Sequence, residues 1–228
     1  MADAPLAAPQ MVVNSRMLYT SWMPADPEAA AALLPDGGPP PAGPVYMNQY
    51  VVDSDDQTSG FGAYSLTYLG LDIAGMTDPE GVTPARYMLF YFNSNPRMRE
   101  YTAREYGLPA EPGETTVEVG DGRVVATASL DGSPIIRTEA AIGAGILMVA
   151  RGLLTYVRQK DGRNMAGNFP YVADIADGFE VRSIEFLDPG HPVYALRPAE
   201  PLDIVAPSSF FSPDDSFVYP GGVYEVSF

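Results

Sequence analysis

The chain contains no cysteine, which excludes disulfides, thiol nucleophiles and thiolate-held metals together. Histidine is nearly absent as well. The single one, His191, stands in Asp188-Pro-Gly-His-Pro and reads as an exposed loop residue. A Ser/His/Asp relay would depend on it, and a metal would find at most one imidazole. Lysine is reduced to Lys160, in the charged turn Arg158-Gln-Lys-Asp-Gly-Arg163. A solvated surface amine is expected there, which excludes lysine imine chemistry.

Positive charge is scarce: 13 Lys and Arg face 29 Asp and Glu, for a net charge of −16. Such a field repels phosphate backbones and no basic cluster offsets it, so nucleic acid is excluded as a partner. The acidity suits a soluble cytoplasmic protein. Gly143-Ala-Gly145 lacks the remainder of either nucleotide fingerprint, and no cofactor is implied. Asp53-Ser-Asp-Asp56 and Asp214-Asp215 are the acidic clusters that an oxygen-ligated cation would need. Both read as solvated turns, so no metal site is expected.

Long apolar runs are missing too. The longest stretch, Ala140 to Val157, is interrupted by Gly143, Gly145, Arg151, Gly152 and Thr155. It is marginal for a membrane span and reads as a buried helix. The N-terminus carries Asp3, Pro5 and Pro9 where a signal peptide needs a basic start and an apolar core. Residues 1–16 are therefore expected to form a flexible arm, with one domain over 17–228.

What the chain does have is the material of a β-rich core. It is 46% hydrophobic and 11% aromatic, with 22 glycines and 23 prolines among 228 residues. That mixture belongs to many short strands joined by tight turns. Strands are predicted over 45–52, 61–73, 86–92, 115–119, 123–130, 181–187, 193–196, 216–219 and 223–228. Gly120-Asp-Gly122 and Asp131-Gly132 mark turns. Asp26-Pro27 starts a short helix that Pro35 stops, and Asn95-Pro96 starts a second that runs to about Tyr106. With Ala140–Val157, three helices are expected on a closed or sandwiched β structure.

Several segments in order carry a resemblance. They are Asp26-Pro-Glu with Leu33-Leu-Pro35, Thr58-Ser-Gly-Phe-Gly-Ala-Tyr64 and Tyr91-Phe-Asn-Ser-Asn-Pro96. Arg104-Glu-Tyr-Gly-Leu-Pro-Ala-Glu111, Gly122-Arg-Val-Val-Ala-Thr-Ala128 and Glu200-Pro-Leu-Asp203 through Ser209 follow. From Met17 to Phe228 the chain resembles the acetoacetate decarboxylase family. The resemblance implies a mainly β (α+β) fold, a cone-shaped antiparallel β-barrel with an accessory sheet, and a homo-oligomer.

The family's reaction needs a lysine of lowered pKa. Aligned on the resemblance, the two-lysine motif holds Ala110-Glu111, the catalytic glutamate falls at Leu66 beside Thr67, and the carboxylate-binding arginine falls near Met23 or Pro24. The site has therefore turned apolar. Trp22, Met23, Leu66, Leu108 and Ala110 are expected to line it, with Tyr50, Tyr64, Thr67 and Asn168 as polar handles. Glu105 and Glu111 are the candidate acid or base. Such a cavity disfavours a small keto acid, because burying a carboxylate without a cation costs several kcal/mol. The expected partner is a larger apolar small molecule. Two readings follow: a cofactor-independent enzyme that cyclises, dehydrates or isomerises a polyketide-like substrate without an imine, or a non-catalytic binding protein for an apolar metabolite.

Overall fold

The computed structural model describes residues 5–228. Thirteen strands and two α-helices follow in the order β1 (Gln10–Trp22), α1 (Pro27–Ala31), β2 (Pro41–Val52), β3 (Tyr64–Thr77), β4 (Pro84–Asn93), α2 (Pro96–Tyr106), β5 (Ala110–Pro112), β6 (Glu114–Gly120), β7 (Arg123–Leu130), β8 (Ser133–Ala141), β9 (Ile146–Lys160), β10 (Arg163–Ala176), β11 (Glu180–Phe186), β12 (Phe210–Tyr219) and β13 (Tyr224–Glu225). The larger sheet runs β12-β1-β2-β3-β4-β9-β10, and β12 also pairs with β10, so the path returns on itself. A second sheet, β11-β8-β7-β6, packs beside it. This is the expected barrel with its accessory sheet. It departs from a purely antiparallel one at two places, since β4 pairs in parallel with both β5 and β9.

Local chemistry explains the helices. The Asp26 carboxylate accepts the Ala29 amide, and Pro27 occupies the first turn of α1, where its missing N–H is not needed. Asn95 accepts from Arg97 and Met98 to open α2, and Gly107 closes it in the left-handed region at φ 67°. The turns at Asp121-Gly122 and Asp131-Gly132 place both residues at positive φ, as tight hairpins require.

Four expectations are corrected. Residues 10–16 of the supposed arm form the start of β1, where Val12 and Ser15 are buried against β12; its first four residues lie outside the described ones. The helix expected over 140–157 is instead the end of β8 and most of β9. Glycine disfavours helix and β-branched residues favour strand, and a long pairing with β10 decides the matter. Val193–Leu196 is a 3-10 turn rather than a strand. His191 is not a free loop residue: its Nδ1 accepts the Val193 amide at 3.1 Å and its ring packs against Phe90 and Phe92.

Two of the three hydrophobic cores flank the barrel wall, one on each face. Outside it, between the sheets and the second half of the chain, lie Trp22, Val45, Met47, Leu69, Phe92 and Leu196. Inside it lie Tyr19, Tyr46, Tyr50, Tyr64, Tyr68, Tyr91, Tyr156 and Tyr219. Successive side chains on a strand point to opposite faces, so each wall strand contributes one stripe to each core. No helix among the described residues is long and apolar enough to cross a membrane.

Candidate functional site

The inner stripes enclose a cavity. Tyr19 of β1, Asn48 of β2, Tyr68 of β3, Met88 and Tyr91 of β4, Leu154 and Tyr156 of β9, Phe169 of β10 and Asp215 of β12 line it. Leu108, in the short link after α2, closes one side. The surface is aromatic and apolar with few polar groups, the usual make-up of a small-molecule pocket.

Three of those polar groups form a connected set. The Tyr68 and Tyr156 hydroxyls share a hydrogen bond at 2.8 Å, and the Asn48 amide donates to the Tyr68 oxygen at 2.9 Å. Burial pushes the Tyr68 and Tyr156 hydroxyls above the ordinary tyrosine range, so both remain protonated donors. Asp215 stands apart. It is 2% exposed, its Oδ1 has no hydrogen-bond partner, and burial alone lifts its carboxyl to about 7. A carboxyl titrating near neutral pH in the wall of an apolar pocket is able to take and return protons.

Of the residues expected from the sequence, Leu108 lines the cavity. Tyr50, Tyr64 and Leu66 pack behind the lining in the same aromatic core. The Tyr50 hydroxyl is within 2.8 Å of that of Tyr64 and 3.1 Å of that of Tyr219, so both tyrosines are committed to packing. Ala110 packs at the edge of that core.

The remaining candidates lie elsewhere. Trp22 falls on the outer stripe of β1, donates its indole N–H to the Leu196 carbonyl at 2.9 Å and stacks edge-on with Phe186. Met23 follows the end of β1 and lies against Gly43. Thr67 faces the accessory sheet, bonding the Thr115 hydroxyl at 2.7 Å. Asn168 is on the outer stripe of β10, where it accepts from Thr155 and Tyr224. Glu105 is paired with Arg104 at 2.9 Å on the outer side of α2, and Glu111 is exposed on β5. Neither glutamate reaches the cavity. Lys160 does not line it either: its ammonium donates to the Arg104 carbonyl at 2.6 Å, at the negative end of α2.

Asp215 is a functional candidate that the sequence does not single out, since Asp214-Asp215 reads as a solvated turn. The signal was present as Asp215-x-Phe217-x-Tyr219, a period of two that sets Asp215 on the aromatic stripe and Asp214 on the other face.

The closed sheet, its accessory sheet and the cavity within define the fold of acetoacetate decarboxylase and its structural relatives. Acetoacetate decarboxylase from Legionella pneumophila superposes with a TM-score of 0.67 at 12% identity, covering 97% of this chain and 88% of its own. The enduracididine biosynthesis enzyme MppR gives 0.65 at 14% identity, covering 99% and 91%. An acetoacetate decarboxylase-like enzyme from Sphingomonas wittichii gives 0.62 at 14%, covering 99% and 96%. By sequence, no family model and no curated protein matches.

Proposed function

We propose that this chain is a cofactor-independent enzyme that binds a largely apolar, polyketide-like molecule in the barrel and moves protons on it without forming an imine. Asp215 is the general acid and base, and the Tyr68–Tyr156–Asn48 set orients a polar substituent. Cyclisation, dehydration and isomerisation of such molecules all begin with proton transfer beside a carbonyl, so one poised carboxyl serves any of them. The observation that carries the reading is the Asp215 carboxyl, unpartnered at one oxygen in the apolar wall and lifted to about 7. The likeness in fold to a biosynthesis enzyme supports it. The protein is further proposed to work in the cytoplasm, which the absence of cysteine suits.

The test uses 2-tetralone, an apolar ketone with acidic α-protons, in deuterated buffer. The wild-type protein should speed deuterium uptake, read by mass, and Asp215→Asn should lower the enzymatic rate by about 10²-fold or more. Retention of the ketone with no exchange above background would return the chain to non-catalytic binding.

A further inference from the structure

Among the described residues one cation lines the cavity, Arg158 of β9. The period of two along β9 sets Leu154, Tyr156 and Arg158 on the same inner stripe, and all three face that space. β4 and β9 pair at Arg86–Tyr156 and Tyr87–Val157, so Arg158 is the first residue beyond their joint. Its Nη1 donates to the Met88 carbonyl at 3.0 Å, and its guanidinium carbon lies 5.5 Å from the Tyr87 ring centre. Met165, opposite Arg158 on β10, lines the cavity as well.

Both of those neighbours are neutral. Acids outnumber bases 29 to 13 in this chain, and most of its described arginines pair with a carboxylate. Arg158 pairs with none. Arg99, Arg151, Lys160 and Arg197 share that lack, yet none of them lines the cavity. The Arg158 side chain is only partly buried. Its Nε is enclosed, but the Met88 carbonyl takes one N–H of the Nη pair and leaves the others to a ligand. A partly desolvated cation without a counter-ion carries a cost that a bound anion relieves. The planar fork of a guanidinium matches a carboxylate, and one positive charge balances one negative charge.

We propose that Arg158 holds a carboxylate of the substrate, and that the substrate is an amphipathic acid: an apolar body bearing one carboxylate. This rests on the reading of the cavity as the substrate site. At Arg158 the penalty for burying a carboxylate in an apolar space falls away, because the charge meets its partner there. A doubly charged group such as a phosphate ester would keep one charge unbalanced, inside a protein of net charge −16. The acid also stays clear of Asp215. On β10, Arg158 pairs with Met165 and Asp215 with Ala173, and that stretch spans about 26 Å of extended strand. A carboxylate anchored at Arg158 therefore does not crowd the Asp215 carboxyl, and the apolar body of the substrate lies along the aromatic wall between them.

The probes are 2-naphthylacetic acid and its primary amide, which match in shape and differ in charge. They are titrated calorimetrically at pH 6, where the acid is ionised and Asp215 keeps its proton. The wild-type protein should bind the acid about tenfold more tightly than the amide, or better, as a charge-assisted pair provides. Arg158→Met, which keeps the apolar stem, should abolish that preference and leave amide binding in place. Arg158→Gln, still able to donate to the Met88 carbonyl, gives the same comparison should the methionine variant fold poorly. Equal affinity for acid and amide in the wild type, or no binding of the acid, would overturn the site. So would a preference that survives both substitutions, or variants that weaken acid and amide alike, the mark of a purely structural arginine. Acid preference that depends on Arg158, with tetralone exchange indifferent to Asp215→Asn, overturns the base alone. Exchange lost in Asp215→Asn, with no acid preference in the wild type, overturns the Arg158 site alone.

Discussion

Asp215 and Lys160 exchange the importance that their residue types suggest. Asp215 holds its proton in the native state up to about pH 7, whereas an unfolded aspartate releases it near pH 4. Its folded pKa is raised, so the stabilisation is complete below roughly pH 4 and is lost as pH rises through about 7. Asp215→Asn should therefore melt above the wild type at pH 8 and close to it at pH 4, by calorimetry at both values. Activity should move oppositely. The wild-type exchange rate should climb through about pH 7 as the carboxyl ionises, a limb that Asp215→Asn lacks. Tyr171 is the titratable neighbour that senses Asp215, and burial keeps it protonated over the same range. Lys160 is tied to the Arg104 carbonyl. Lys160→Met should cost about 0.3–1 kcal/mol of stability and leave exchange unchanged. Borohydride treatment with acetoacetate should add no mass to the protein.

At the scale of elements, the joint between α2 and β9 sets one wall of the cavity. Gly107 ends the helix at φ 67°, and a Cβ there would stand 2.8 Å from the Lys160 Cβ. Gly107→Ala combines left-handed strain of about 1–2 kcal/mol with that clash. It should lower the melting temperature and weaken 2-tetralone binding, because the next residue, Leu108, lines the cavity. The Gly107 stop and the Asn95-Pro96 start of this helix were legible because caps are local chemistry. The strand β9 was not. Ile146, Leu147, Met148 and Val149 form an apolar run that periodicity alone assigns equally to a buried helix. All four prove exposed, on a ribbon with β10.

That ribbon raises the question of assembly for the whole molecule. Leu147 is 68% exposed and Val149 62%, with Ile146 and Met148 beside them and Val172 on the paired strand. Contiguous apolar surface of this kind marks association more often than solvation, and a homo-oligomer is the expectation. Light scattering at micromolar concentration should give a multiple of 24.5 kDa, and Leu147→Glu/Val149→Glu should return the mass to the monomer. A monomeric wild type would refute it.

Composition and local pattern determined much by themselves: a β-rich chain, its hairpin turns, its two capped helices, and the exclusion of thiol chemistry. These follow from residue types and short spacings, which need no partner strand. Which side chains share the cavity was decided by the tertiary structure. Tyr19, Tyr68, Tyr156 and Asp215 come from four strands far apart in sequence, and only the closure of β12 onto β10 joins them round one space. The same holds within a strand. Trp22, Thr67 and Asn168 were plausible by type, but register puts them on outer stripes, and a shift of one residue reverses every side chain. Asp215 pairs with Ser15 on one side and Ala173 on the other, and that register turns an unremarked carboxylate inward.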